Sequence, residues 1–166
     1  MNTELEKLLY DAKTFKKENQ ALLKRAKKTN KRNLDQQFHN AHDEAFKKID
    51  CLDCANCCKT TSPIFTGQDI KRLAKLFKMK DVAFINEYLK RDEEDDYVLK
   101  SAPCPFLNDD NTCFVYDVRP QACREYPHTN RKNMYQILNL TEKNALVCPA
   151  VSSILKEFRA EKQPSK

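Results

Sequence analysis

Residues 51–58 read CLDCANCC, and four of the chain's eight cysteines fall in these eight positions: Cys51, Cys54, Cys57 and Cys58. The other four follow at Cys104, Cys113, Cys123 and Cys148. Each step of three residues from Cys51 to Cys54 to Cys57 lets a turning backbone aim successive sulfurs at one point. One such pair is the usual half-site for zinc. Three in succession also open the ferredoxin-type run, in which a remote cysteine is followed by proline. Here two remote cysteines meet that condition, in Cys104-Pro105 and Cys148-Pro149. Side chains of adjacent residues diverge on a regular backbone. Cys57 and Cys58 are therefore expected to face different sites, with Cys113 and Cys123 available to complete the second. Two sets of four and a mixed split are both allowed by the spacing. All eight cysteines are candidate ligands of zinc or of an iron–sulfur cluster, in one or two sites.

The bulk composition agrees with a need for such staples. The chain has 166 residues, the usual size of one domain. Only 40% of it is hydrophobic and 33% is charged, which leaves a modest core. A single glycine excludes glycine-rich phosphate loops and, with many Lys and Glu, favours helix. The opening residues contain no uninterrupted apolar run of the signal-peptide kind, and no stretch approaches the ~20 apolar residues of a membrane helix. The expectation is a soluble cytoplasmic protein with no membrane contact, where reducing conditions favour thiols over disulfides.

Before the cluster, residues 3–29 read as one helix, with Thr3 and Glu6 as a capping box. Leu5, Leu8, Ala12, Phe15, Asn19, Leu22 and Ala26 form a heptad seam with a polar Asn in it. A second helix over 34–49, with Leu34, Phe38, Ala41, Ala45 and Ile49 on one side, makes an antiparallel hairpin with the first. The net charge of +6 lies wholly in residues 1–33, where ten Lys/Arg meet four Asp/Glu; the remainder balances at 20 and 20. The seam is a possible contact for a protein partner or for self-association. Nucleic-acid binding is disfavoured, because Tyr10 and Phe15 alone make no stacking platform.

After the cluster, Thr66 and Asp69 are expected to cap a helix carrying Ile70, Leu73, Ala74, Leu76 and Phe77. Another helix follows Asp81, with Val82, Phe84, Ile85, Tyr88 and Leu89. RDEEDD (91–96) is an acidic, solvated turn. From 97 to 140, YVLK, CFVY and YQILNL are short strand-like runs between turns and prolines. A last helix runs from about Pro149 to Glu161. The fold class is mainly α: an N-terminal helical hairpin, then a small irregular cysteine-rich metal-binding domain with minor β. The divisions are 1–49, a basic helical extension; 50–150, the cysteine-cluster domain; and 151–166, the terminal helix and tail.

Other polar residues carry less weight. His39 and His42 share a helix face that is expected to be solvated, and His128 lies within reach of the cysteine region. Arg119 and Arg124 flank Cys123 and would offset thiolate charge. A thioredoxin-like exchange pair lacks its strand-then-helix context.

These residues together resemble the YkgJ-type CxxCxxCC cysteine-cluster family. CLDCANCC (51–58), IFTGQDIKRLAKLF (64–77), CPFLNDDNTCFVYDVRPQACREYP (104–127) and Cys148-Pro149 follow its pattern in order. The family is described as zinc- or iron-chelating and is similar to a region of flagellin lysine N-methylases. The resemblance covers roughly residues 50–150 and implies metal or iron–sulfur binding by the cysteines. It hands over no reaction. A metal-stabilised binding module is the first expectation. An iron–sulfur-dependent redox or protein-modifying, methylase-related enzyme is the alternative, and no catalytic residue is identified for it.

Overall fold

The computed structural model describes residues 3–161. The chain is mainly helical, with one two-stranded sheet among the described residues. It divides into two compact units, Met1–Cys54 with Pro127–Lys166, and Ala55–Tyr126.

The first unit contains α1 (Thr3–Thr14), α2 (Lys16–Ala26), α3 (Lys31–Phe46) and the short α4 (Cys51–Cys54). From the end of the chain it takes α9 (Leu138–Ala145) and α10 (Pro149–Glu161). The apolar stripes of α1, α2 and α3 pack mainly on α10 and α9 rather than on each other. Their core holds Leu22, Leu23, Leu34, Phe38, Met134, Leu138, Val151, Ile154 and Leu155. Phe38 meets Phe158 edge-on, with ring centroids 5.1 Å apart. Asn30 caps α3, its side chain accepting from the amides of Arg32 at 3.0 Å and Asn33 at 3.3 Å.

The single helix expected over 3–29 is interrupted at Phe15, which leaves the seam and is exposed. One guanidinium serves both halves at the break. Arg159 of α10 pairs with Asp11, donates to the buried Asn19 and stacks on the Phe15 ring. A polar seam residue is thus satisfied within the chain, as a buried amide must be. YQILNL, expected as a strand, is a 3-10 turn (Met134–Gln136) running into α9. The buried residues Met134, Leu138, Thr141 and Ala145 recur at helical spacing. That period extends beyond the six residues that looked strand-like.

The second unit contains α5 (Asn56–Thr60), α6 (Gly67–Leu76), α7 (Asp81–Tyr88), β1 (Leu89–Arg91), β2 (Tyr97–Leu99) and α8 (Gln121–Glu125). The Thr66–Asp69 capping box starts α6 as its sequence predicts. β1 and β2 pair antiparallel with Leu89 opposite Leu99, and the acidic stretch is the turn between them. Phe77, Phe84, Tyr88 and Phe106 form an aromatic core, with Leu73, Leu99 and Val115 buried around it. Val82, expected on the apolar face of α7, is exposed. CFVY makes no strand. Val115 is buried while Phe114 and Tyr116 are exposed, but only Cys113 bridges, to Leu107, before the chain enters a 3-10 turn at Tyr116–Val118.

Candidate metal centre

The second unit carries five cysteines. Cys57 and Cys58 lie on α5, which begins after Ala55 in a left-handed conformation (φ 46°). Their sulfurs are 4.0 Å apart, closer than the divergence expected of neighbouring side chains. The amide of Cys104 donates to the carbonyl of Cys58 at 2.8 Å, which ties the Cys-Pro loop to α5. Phe114 donates to the Phe106 carbonyl at 2.8 Å, and the loop between closes on Asn108 and Thr112. Cys113 lies within that narrow loop and Cys104 just before it, both packed against the aromatic core. Cys123 lies on α8, just past Pro120.

Electrostatics shows which sulfurs feel one another. Burial pushes the Cys123 thiol up to about 12, and the charges of Cys58, Cys104 and Cys113 add to the rise. Cys104 is pushed up to about 11 by burial first, then by Cys58 and Cys113. Cys113 is raised by burial and by Cys58. Cys58 moves the other way, to about 7, chiefly because the Cys57 side chain hydrogen-bonds to it. Cys58, Cys104, Cys113 and Cys123 are therefore one electrostatic set. Converging thiols resist joint ionisation, and a bound cation inverts that balance.

Several fixed groups favour anionic sulfur there. The amides of Phe106 and Leu107 donate to Cys104, and that of Val115 to Cys113. The Arg119 charge lowers the thiols of both Cys113 and Cys123. Its guanidinium lies 3.7 Å from the centre of the Tyr116 ring. Arg124 donates to the Arg119 carbonyl at 3.0 Å.

Two residues that sequence reading assigned no role at the cysteines hold this arm. Asp69, 1% exposed, accepts from Arg72 at 2.5 Å and from the Gln121 amide at 3.1 Å, besides capping Thr66. Arg72 in turn donates to the carbonyls of Val118 at 3.0 Å and Arg119 at 2.9 Å. Burial raises the Asp69 carboxyl, but the bonds from Thr66, Arg72 and Gln121 outweigh it and hold the group below its usual range. The capping motif was legible in sequence; its second use, fixing residues 118–121, needed the fold.

The first unit holds the remaining three. Cys51, exposed, and Cys54, buried, lie at the two ends of α4. Cys148 precedes α10, and its sulfur accepts from the amides of Ala150 and Val151. Burial pushes its thiol up to about 11, with Cys51 and Cys54 adding to the rise. Cys104-Pro105 and Cys148-Pro149 thus build the same nest, with the amides two and three residues on turned toward sulfur. Proline supports it by fixing φ at the intervening position and having no amide of its own to place. Among the histidines, His39 bonds the Arg131 carbonyl at 2.9 Å and His42 bonds Thr129 at 2.7 Å. Burial keeps His42 below the ordinary histidine range.

No disulfide joins any of the eight cysteines. Among the described residues no three His, Cys, Asp or Glu donors are gathered closely enough to hold an ion as they stand. The donor chemistry fits zinc or iron, while the coordination shell is not closed.

A family model described as "CxxCxxCC: Putative zinc- or iron-chelating domain" matches residues 50–149, well over half of the chain. Neither the curated proteins nor the solved structures contain a match.

Proposed function

We propose that this chain, which belongs to the CxxCxxCC family, binds zinc or an iron–sulfur cluster through its cysteines and acts as a metal-stabilised binding module. The observation that carries the proposal is the family match over residues 50–149, together with the sulfurs of Cys57 and Cys58 held 4.0 Å apart on α5 and the Cys104 amide bonded to the Cys58 carbonyl. The sulfurs of α5, of the Cys104–Cys113 segment and of α8 lie near enough to raise one another's pKa, and a cation bound there would favour their thiolate form. Amide donors to Cys104 and Cys113, and the Arg119 charge, support the thiolate form. Cys57 of the same unit, and Cys51, Cys54 and Cys148 of the first unit, are the remaining candidate ligands in this reading. Zinc there would hold chain segments together; an iron–sulfur cluster would add electron transfer.

No helix among the described residues is long and apolar enough to cross a membrane. Thiol ligands for a metal need a reducing setting, and a cytoplasmic location belongs to this reading.

The test is anaerobic purification followed by zinc, iron and sulfide analysis with a visible spectrum. One or two zinc per chain and no visible band would support a structural module. Iron with matching sulfide and a broad band near ~400 nm would make it an iron–sulfur protein and call for redox titration. Cys104→Ser and Cys123→Ser should each lower metal content. A folded, metal-free protein from the anaerobic preparation would overturn the proposal.

A further inference from the structure

We propose that the lysine-rich outer face of α2 and the turn after it binds the phosphate backbone of double-stranded nucleic acid. All ten Lys and Arg of residues 1–33 are exposed. Between residues 13 and 32 there are nine of them and one acid, Glu18. At ~100° per residue, Lys17, Lys24 and Lys28 fall on one line, with Lys16 and Lys27 beside it. The buried side of the same helix is Asn19, Leu22, Leu23 and Ala26. At ~1.5 Å per residue the line from Lys17 to Lys28 extends for roughly 16 Å. Two acids border it: Glu18, next to Lys17, and Glu142 of α9, which accepts from Gln20 at 2.7 Å. Lys31 stays exposed while its ammonium lies 4.2 Å from the centre of the Tyr135 ring.

The choice of partner follows from what this face lacks. The leucines of α2 are consumed by the unit's own core. A protein partner needs apolar or aromatic anchors at the centre of its contact, and this face offers none. A phosphate backbone binds through counterion release and requires only positioned charge. Seven of the nine bases between residues 13 and 32 are lysines, point charges suited to phosphate rather than forks suited to base edges. The lack of a stacking platform argues against single strands, which need one, and leaves the duplex untouched.

Fluorescence anisotropy of the full chain with a labelled duplex of about 20 base pairs, between roughly 50 and 200 mM salt, tests this. Expected is sequence-indifferent binding whose log–log salt slope is about −4, from four or five neutralised phosphates. The K17Q/K24Q/K28Q variant changes only exposed side chains, and circular dichroism should show its fold intact. Its slope should flatten by about 2 to 3 units, and its affinity at the lower salt should fall at least about tenfold. Absence of duplex binding at the lower salt would overturn the proposal. So would unchanged binding by the folded variant. Tighter binding of a polyglutamate chain than of the duplex would also overturn it and assign the face to an acidic protein.

Discussion

The unit built from α1–α4, α9 and α10 excludes water from Leu34, Phe38, Met134, Val151, Ile154 and Leu155 almost completely. The 55–126 unit has a smaller core centred on one aromatic cluster, and five cysteines sit in its helices and loops. In the first, helices of eight to sixteen residues bring apolar stripes together, and packing alone can order the chain. In the second, α6 and α7 have ten and eight residues, but α5 and α8, which carry Cys57, Cys58 and Cys123, have only five each. Segments that short are not stable by themselves and take their order from what crosses between them. Here those crossings are the bonds of Arg72 and Asp69 to residues 118–121, the hydrogen bond from the Cys104 amide to the Cys58 carbonyl, and the thiols. The difference shows where a core suffices and where donors must substitute for it.

The sharpest way to break this comparison is to remove the metal. A structural zinc site contributes on the order of 10 kcal/mol to folding. Chelation should expose the segment between Cys104 and Tyr126 to protease while most far-UV helical signal persists. Complete loss of that signal would show that the first unit does not stand on its packing.

Phe38→Ala tests the opposite half. Phe38 has 0% exposure, and its truncation should destabilise the first unit by about 3–5 kcal/mol in urea unfolding. Metal content should be unchanged.

Asp69→Asn comes next, at about 2–3 kcal/mol, because the neutral amide leaves the Arg72 contacts only partly satisfied. The folded pKa of Asp69 lies below its unfolded value of 3.8. Its stabilisation is thus complete well above pH 3.8 and is lost as pH falls through the lower folded value. Acid titration of wild type should show this loss in the second unit, and the Asn variant should lack it.

Asn30→Ala should have the smallest effect, about 1 kcal/mol, through loss of the α3 cap. A thermal melt reading the helical signal would detect it, with the second unit unaffected.

Local patterns made much of this protein legible in its sequence. The capping box at Thr66 and Asp69 appears as read, and α10 spans Pro149–Glu161 as its proline start and apolar spacing predict. The clustered cysteines, at steps of three, carry the resemblance to the family whose model matches residues 50–149. These signals are short in range, set by backbone geometry within a turn or two. What only the tertiary structure decided depends on residues far apart in the chain. Phe15 interrupts the first helix beside an arginine from α10, some 140 positions later. YQILNL became helical because Met134, Leu138, Thr141 and Ala145 face a common core. The association of Cys58 with Cys104, Cys113 and Cys123, and of Cys148 with Cys51 and Cys54, is likewise absent from any local pattern. Spacing restricts where neighbouring sulfurs can point, but which distant loop comes back to meet them is a property of the folded core.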